Sequence, residues 1–410
     1  MAGKRRALQN LTLTTMFSNR TAWNRTPNRL SEALAGHRAI GKPLLDLSIS
    51  NPTECGFHYD ERLIMRALCS PATLQYHPDP RGLALARKAV AEYYADRDQR
   101  VAPDDIILTT STSEAYSFAF RLLCNPGEEV LVPAPSYPLF DFLAEIQDVK
   151  LSPYPLVYDH GWQIDRHGLQ QAITPLTRAI IVVHPNNPTG HFVKPAEVAA
   201  LNQLCSRQQL ALIADEVFLD FSFFALGQER PASFSANTGA LTFTMSGLSK
   251  IAGLPQMKLA WLITSGPEQE KQEALARLEI IADTYLSMNA PVQLAAPALL
   301  GQRYNFQQQI MARVRNNLAE IDRQIAEQKH CNRLEVEGGW YAVLRMPATR
   351  SDEELALELL ERHGVYVHPG HFYDFFQDGH LVLSLITPEQ EFAEGTRRLL
   401  SVFDTIQRSG

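Results

Sequence analysis

The stretch that decides the fold runs from residue 179 to residue 190 and reads AIIVVHPNNPTG. Its first five residues are apolar and mostly β-branched, which predicts a buried strand over Ala179 to Val183. Two prolines then enclose a polar pair. Because each proline fixes its own backbone angle, they predict a rigid turn that presents Asn187. In an α/β sheet, ligands bind at the ends of such strands.

Five further short apolar runs predict buried strands of the same kind. They are Ile106 to Thr109, Glu129 to Val132, Leu210 to Ala214, Leu241 to Met245 and Leu259 to Thr264. Helical patterns separate several of them, as at Ser113 to Leu123 and Pro195 to Gln208. This alternation predicts an α/β fold with a mostly parallel central sheet in a large domain.

After Gly266 the pattern changes to long helices, followed by short strands and further helices. Helices are predicted over residues 267–300, 302–328, 351–363 and 388–407, and strands over 340–345 and 381–386. The second part therefore predicts a smaller α+β domain. We expect an N-terminal arm with the start of the small domain over 1–45, the large domain over 46–300 and the small domain over 301–410.

The composition excludes several functional classes. Of 410 residues, 45% are hydrophobic and 20% charged, as in globular proteins, and the net charge of -7 disfavours non-specific nucleic-acid binding. The five single cysteines form neither a disulfide framework nor a zinc motif. With no apolar run of about 18 residues and no secretory signal, the sequence predicts a cytoplasmic protein without a membrane partner. A basic N-terminus would also fit a transit peptide.

Two apparent motifs are weak. Residues 36–42 have the glycine and lysine spacing of a phosphate loop, but Pro43 replaces the required hydroxyl residue and no strand precedes it. His363, His368 and His371, with Asp374, match no familiar metal spacing. We therefore predict neither a phosphate loop nor a metal site.

Three other segments follow predicted strands and carry reactive or polar groups. Residues 110–115 open a helix with four hydroxyls and free N–H groups that can hold a phosphate. Asp215 ends an apolar strand, where a carboxylate needs a partner. Lys250 follows another strand among small residues, and a sheltered lysine with a depressed pKa can form a Schiff base.

Together with the Asn-Asn-Pro-Thr-Gly turn, these segments resemble the pyridoxal-phosphate enzymes of fold type I, in particular the class I/II aminotransferases. Asp215 lies 28 residues after Asn187, and Lys250 lies 35 residues after Asp215. The resemblance covers the chain from about Leu47 to its C-terminus. It implies pyridoxal 5'-phosphate as the cofactor and a two-domain fold like that of aspartate aminotransferase.

The resemblance also implies roles for individual residues. Lys250 would bind the cofactor aldehyde as a Schiff base and then carry protons, and Asp215 would pair with the pyridinium nitrogen. Asn187 would donate to the ring oxygen, and Tyr137 would stack on the ring. The remaining cofactor-binding positions would be Ser111, Thr112, Ser113, Phe218, Ser249 and Lys258.

Tyr76 matches a family tyrosine that reaches the phosphate in the neighbouring subunit, which implies a homodimer with shared active sites. The basic N-terminal segment would then be an arm lying on the partner. Asn51 and His371 match segments near the substrate entrance and facing the cleft. Both are candidate substrate-binding residues.

At four positions the sequence departs from the family pattern. Phe218 stands where the family usually has tyrosine, Gly247 where it commonly has a phosphate-binding serine, and Lys258 where it usually has arginine. Val382 stands where the family has the arginine that binds the substrate carboxylate. Arg81 or Arg345 could replace that arginine. Alternatively, the substrate could be an amine without a neighbouring carboxylate.

Three functions remain open at this point. The leading hypothesis is an aminotransferase that moves an amino group between an amino donor and a 2-oxo acid. A pyridoxal-phosphate lyase or decarboxylase on the same scaffold is the alternative, since the absent arginine normally orients the substrate. The third is a cofactor-sensing regulator, which the sequence disfavours because it shows no helix-turn-helix pattern.

Overall fold

The computed structural model describes residues 16–137, 140–224 and 231–404. Their strands are β1 (Leu45–Asp46), β2 (Ile106–Thr109), β3 (Glu129–Ala134), β4 (Lys150–Tyr158), β5 (Trp162–Ile164), β6 (Thr177–Val183), β7 (Ala211–Asp215), β8 (Thr242–Gly247), β9 (Ala260–Ser265), β10 (Asn332–Arg333), β11 (Tyr341–Arg345), β12 (Val365–Tyr366), β13 (His368–Pro369) and β14 (His380–Ser384). Their α-helices are α1 (Arg29–Ala39), α2 (Glu61–Leu68), α3 (Ala84–Ala95), α4 (Thr112–Leu123), α5 (Phe140–Glu145), α6 (Arg166–Ala172), α7 (Pro195–Gln208), α8 (Leu248–Ile251), α9 (Glu268–Tyr285), α10 (Ala290–Gly301), α11 (Arg303–Ala326), α12 (Asp352–His363) and α13 (Glu389–Asp404).

The large sheet has the strand order β2-β9-β8-β7-β6-β3-β4-β5. Neighbouring strands from β8 to β4 pair in parallel, whereas β9 runs antiparallel between β2 and β8. A second, antiparallel sheet has the order β10-β11-β14-β13, and β1 pairs with β12. The predicted α/β fold with a mostly parallel central sheet and a smaller α+β part is confirmed.

Helices cover both faces of the large sheet, which explains why its central strands lack polar alternation. Ala179, Ile181 and Val183 pack with α4 and α9 on one face. Ile180 and Val182 pack on the other face, in the core that also includes the small sheet. Burial on both faces leaves the strand ends as the places where polar side chains can gather.

The prediction of one helix over residues 267–300 is wrong, because α9 and α10 are separate. Leu286 ends α9 in the left-handed region, with φ 45°, and donates its N–H to Ala282. Asn289 then caps α10 by accepting from the N–H of Val292 at 3.1 Å. The hairpin of β4 and β5 was not predicted, since Pro153 and Pro155 interrupt the usual strand signal.

The start of the described chain lies on its own subunit rather than reaching away from it. Arg20 pairs with Asp148, and Trp23 packs edge-on against Phe142 with ring centroids 5.3 Å apart. The predicted arm on a partner stays a prediction, and residues 1–15 lie outside the described residues. In the part of the chain that the structure describes, no helix is long and apolar enough to cross a membrane.

Candidate active site

The site lies at one edge of the large sheet, where four strands end. β2, β6, β7 and β8 run in the same direction, and the segments after them are the four that the sequence singles out. Thr110 follows β2, the turn with Asn187 follows β6, Asp215 ends β7 and Lys250 follows β8 in the short helix α8. The topology thus brings together residues that are far apart in the sequence.

Asp215 is a buried carboxylate that keeps two hydrogen-bond donors. The hydroxyl of Tyr116 donates to one oxygen at 3.1 Å, and the N–H of Val217 donates to the other at 3.1 Å. Burial nevertheless raises its pKa from 3.8 to about 6, because these bonds and the Lys250 charge only partly offset desolvation. A nearby cation, such as a protonated ring nitrogen, would stabilise the charged form.

Lys250 is a partly buried amine without a close counter-ion. Among the described residues its Nζ makes no ion pair within 4 Å, and it lies 5.0 Å from the ring centroid of Trp340 and 5.6 Å from that of Phe218. Burial lowers its pKa from 10.5 to about 8, and Asp215 opposes the shift. A larger fraction of this amine is therefore neutral and nucleophilic than of an exposed lysine.

The turn with Asn187 is held against the small sheet by a close approach of two backbone segments. Gly190 has φ +71°, and a Cβ there would lie 2.6 Å from the carbonyl oxygen of Gly338, so only glycine fits. Asn187 is buried, lies close enough to Tyr341 for the two side chains to interact, and has a side-chain oxygen without a partner in the described residues. An unpaired buried amide oxygen is unusual in a closed core and typical of a ligand site.

The start of α4 forms a candidate phosphate cradle. Ser111 caps the helix by accepting from the N–H of Glu114 at 3.2 Å, and Thr112 and Ser113 are its first residues. The Glu114 carboxylate turns back to accept from the Thr110 N–H at 2.7 Å and the Ser287 hydroxyl at 2.9 Å. These bonds fix the loop, and the helix N-terminus offers N–H groups to an anion.

Two of the sequence departures have a packing explanation. At Gly247 a Cβ would lie 2.8 Å from the Cβ of Ala260 and 2.9 Å from the Leu259 carbonyl oxygen, so a serine does not fit. Phe218 is buried against Trp340 and Tyr341, with ring centroids 5.2 and 6.1 Å away. A tyrosine hydroxyl there would need a partner in this aromatic environment.

The other predicted residues lie at varied distances from this cluster. Tyr137 is near enough to Asp215 for the charges to interact, and Ser249 precedes Lys250 in α8. Lys258 is exposed in a left-handed turn, and Asn51 caps a short 3-10 helix and donates to Glu54. Tyr76 is 78% exposed, away from its own Lys250 and at a separate groove.

The remaining candidates, apart from Arg81, lie in the small sheet or in the turn after β13. Val382 is buried in β14, and His371 lies in a 3-10 turn after β13. Arg81 is used elsewhere, since it bonds to Glu279 and to the carbonyl oxygen of Asp104. Arg345 is exposed at the end of β11. None of the described His, Cys, Asp and Glu residues form a group of three or more that could hold a metal ion.

The donor set fits pyridoxal phosphate. The buried amine of Lys250, the carboxylate of Asp215, the amide N–H group of Asn187 and the helix start at Ser111 offer partners for an aldehyde, a ring nitrogen, a ring oxygen and a phosphate respectively. Sequence reasoning missed Tyr116. Its position on the sheet-facing side of α4 was visible, but its contact with Asp215 depends on the packing of α4 against β7.

Sequence reasoning also missed Glu216, a second buried carboxylate. It accepts from the Ser233 hydroxyl and the Phe234 N–H, both at 2.6 Å, yet burial raises its pKa from 4.5 to about 7. The pKa of Glu216 is higher in the folded protein than in the unfolded chain. The contribution of Glu216 to the free energy of unfolding is therefore complete below pH 4.5 and is lost as the pH rises to about 7.

We expect Glu216→Gln to remove this pH dependence. Between pH 5 and pH 8 the free energy of unfolding of the wild type should fall by about 2–3 kcal/mol relative to that of the variant, since 1.36 kcal/mol corresponds to one pKa unit. Urea unfolding of the cofactor-free proteins at both pH values measures the difference. Parallel pH profiles would contradict the assignment.

Comparisons with known proteins agree with this geometry. A family model described as aminotransferase class I and II matches residues 56–398. The glutamate-pyruvate aminotransferase AlaA of Escherichia coli K12 is 30% identical over 262 residues, which cover 64% of each chain. That of Haemophilus influenzae is 25% identical over 88% of this chain and 90% of its own. The stretch matched in the Escherichia coli relative thus spans less than two thirds of its length.

Solved structures show the same fold. An alanine aminotransferase from Pyrococcus furiosus superposes with a TM-score of 0.84 at 23% identity and covers 95% of this chain and 100% of its own. An aspartate aminotransferase from Thermotoga maritima gives a TM-score of 0.79 at 20% identity, with 95% and 100% covered. At these identities the likeness concerns the fold alone.

Proposed function

Because the chain belongs to the aminotransferase class I and II family, we propose that it moves an amino group from an amino donor to a 2-oxo acid. The proposal rests on one observation about Lys250. Its amine has a lowered pKa and lies at the same strand ends as Asp215. The names of the curated relatives make glutamate and alanine the first donors to test, with pyruvate and the 2-oxo acid of glutamate as acceptors.

Pyridoxal phosphate, when bound, supplies a sink for the electrons left when a bond to the substrate Cα breaks. Lys250 would hold the cofactor covalently as a Schiff base and, once released by the substrate, accept and return the Cα proton on Nζ. Asp215 would keep the ring nitrogen protonated. Asn187 would donate to the ring oxygen. Tyr137 would cover the ring and keep water out.

The phosphate would lie at the start of α4. Ser111, Thr112 and Ser113 would donate hydroxyl and N–H groups to it, with Ser249 and Lys258 contributing from the other side. Lys258 offers a point charge, in contrast to the two parallel bonds of an arginine. Its exposed position in the single chain leaves it free to turn toward an anion.

The visible absorption spectrum of the cofactor-loaded protein tests the function. Addition of glutamate or alanine alone should convert the cofactor to its amine form, and subsequent pyruvate should restore the starting spectrum. Neither ammonia nor carbon dioxide should be released. Release of either product without recovery by a 2-oxo acid would instead indicate a lyase or a decarboxylase.

We propose further that the protein forms a homodimer through the face around Tyr76. Exposed apolar side chains surround a groove of about 300 Å³ there, and an exposed apolar patch is typical of an interface. The exposed fractions of Leu74, Tyr76 and Leu85 are 89%, 78% and 49%. Tyr76 would then enter the partner's site, which supports the shared sites that the family resemblance implies.

Sedimentation measurements test this interface. The wild type should sediment with twice the chain mass of 46.0 kDa. Leu85→Asp, in the lining of the groove, should shift the equilibrium toward monomer by at least about tenfold, because dimer formation would then bury a charge. Leu176→Asp is the matched control, since Leu176 is 47% exposed and does not line the groove. A monomeric wild type would contradict the proposal.

A cytoplasmic location is also proposed. Cys55, Cys69, Cys124 and Cys205 are free thiols, and Cys55 and Cys205 are buried in the core. Free thiols are typical of a reducing compartment. Fractionation of the producing cells with an antibody to the protein tests the location.

A further inference from the structure

One face of the small sheet carries Val382, the residue at the position of the missing family arginine. Tyr341 pairs with Ser384, and Val382 pairs with both Val343 and His368. Because directly paired residues share a face of a sheet, these five side chains lie on one side. Tyr341 lies close enough to Asn187, in the turn after β6, for the two side chains to interact, so this side faces the strand ends that hold the site.

Among the described residues, no guanidinium belongs to the charges that act on Lys250. The ionisable groups whose charges act on Lys250 are Asp215 and Cys55. Arg345 lies four residues along β11 from Tyr341, roughly 13 Å away, and is exposed. Arg313 uses its guanidinium on the carbonyl oxygens of Cys55 and Ile386, each at 3.3 Å.

The side chain of Tyr373 lies beside His368 of this face. Its hydroxyl is 3.2 Å from Nδ1 of His368, the residue paired with Val382. Its carbonyl oxygen accepts from the Ser136 N–H at 2.9 Å, next to Tyr137. Tyr373 is 4% exposed and close enough to Tyr341 and Tyr137 for their charges to interact.

Resting on the proposed function, we propose that Tyr373, supported by His368, binds the substrate's α-carboxylate in place of a cation. His368 donates from Nδ1 to the Tyr373 oxygen, and the hydroxyl proton is then free to point to the carboxylate. A hydrogen bond to a charged acceptor is stronger than one between neutral groups, and the first bond polarises the second. The substrate class is accordingly an α-amino acid and its 2-oxo acid.

The surroundings of His368 keep this pair neutral. Burial lowers the pKa of His368 from 6.5 to about 4, and the opposing charge of Asp46 in β1 does not compensate. Tyr366 of β12 packs edge-on against the imidazole, with ring centroids 5.7 Å apart, and Phe372 lies on another side. At neutral pH the imidazole therefore carries one N–H, on either Nδ1 or Nε2, and the proposal requires the tautomer that carries it on Nδ1.

The test compares Tyr373→Phe with Tyr366→Phe, which removes a hydroxyl from the same neighbourhood on β12. Two measurements are made: calorimetric binding of propionate, an unreactive carboxylate, to the cofactor-free protein, and the half-saturating concentration of glutamate or alanine in the spectral titration. Tyr373→Phe should weaken both by about ten- to a hundredfold, the effect of losing a hydrogen bond to a charged group. Tyr366→Phe should change neither by more than about twofold.

Further variants keep the proposal falsifiable if Tyr373→Phe fails to fold. His368→Phe retains a ring but not the N–H and should weaken propionate binding by about tenfold. Unchanged propionate binding in both Tyr373→Phe and His368→Phe would overturn the proposal. Loss of propionate binding in Arg345→Ala or Arg313→Ala would also overturn it. A wild type that converts benzylamine but no α-amino acid would also overturn it. A wild type that binds propionate through Tyr373 but transfers no amino group would contradict the proposed function alone.

Discussion

Replacement of Lys250 by alanine is expected to lower the rate of amino transfer by at least about a thousandfold. Proton transfer by a positioned side chain contributes about a hundred- to ten-thousandfold, and the variant also loses the covalent link to the cofactor. The spectral titration with glutamate and pyruvate measures the rate. Borohydride reduction of the loaded protein, followed by mass spectrometry, should locate the cofactor on Lys250 in the wild type and find none in the variant.

The pKa of Lys250 adds a pH dependence to this prediction. The neutral amine is the reactive form, so with a pKa of about 8 the rate of covalent capture should rise about tenfold between pH 7 and pH 9 and then level off. A lysine with its ordinary pKa of 10.5 would give a rate that still rises steeply at pH 9. Lys329→Ala, which removes an exposed lysine, is the control and should follow the wild type. Capture by Lys250→Ala at the wild-type rate would contradict the assignment.

The arrangement at the strand ends could be predicted because each part has a local sequence signal. Apolar strands followed by polar residues place Thr110, Asn187, Asp215 and Lys250 at one edge of a parallel sheet, whatever the detailed packing. The same signals fix the fold class. They do not fix distances, since the sequence does not contain the separation between a helix and the sheet that it covers.

The contacts made by the aromatic residues could not be predicted, because the sequence does not contain the separation between packed elements. Tyr116 reaches Asp215 from α4, and Tyr373 reaches His368 across a turn, so each contact depends on tertiary packing rather than on spacing. The break between α9 and α10 was missed for a different reason. Leu286 adopts a left-handed conformation, which its residue type disfavours, so the usual signal of a helix end is absent.

The absence of arginine at position 382 shows how sequence and structure combine. The sequence identifies the departure but leaves its meaning open between another arginine, an amine substrate and a different reaction. The structure removes Arg81 from consideration, because it bonds to Glu279 in the large domain. It also shows Tyr373 beside the residue that pairs with Val382, so a neutral donor can take the place of the cation.

The second large effect is expected for Asp215→Asn, which keeps the shape of the side chain and removes its charge. Amino transfer should fall by about a hundred- to a thousandfold, the usual cost of removing a preorganised electrostatic partner from an active site. Covalent capture of the cofactor should persist because Lys250 is intact. The two measurements therefore separate loss of the electron sink from loss of the anchor.

The same variant should also change the titration of Lys250. Asp215 is the larger of the two charges that raise the pKa of Lys250 against desolvation, so its removal should shift the pH midpoint of capture below 8. Glu216→Gln is the matched control, because Glu216 is the next residue, is equally buried and bonds to Ser233 and Phe234 instead. If Asp215→Asn leaves both the midpoint and the rate of amino transfer unchanged, then the Asp215 carboxylate acts on neither Lys250 nor the cofactor ring.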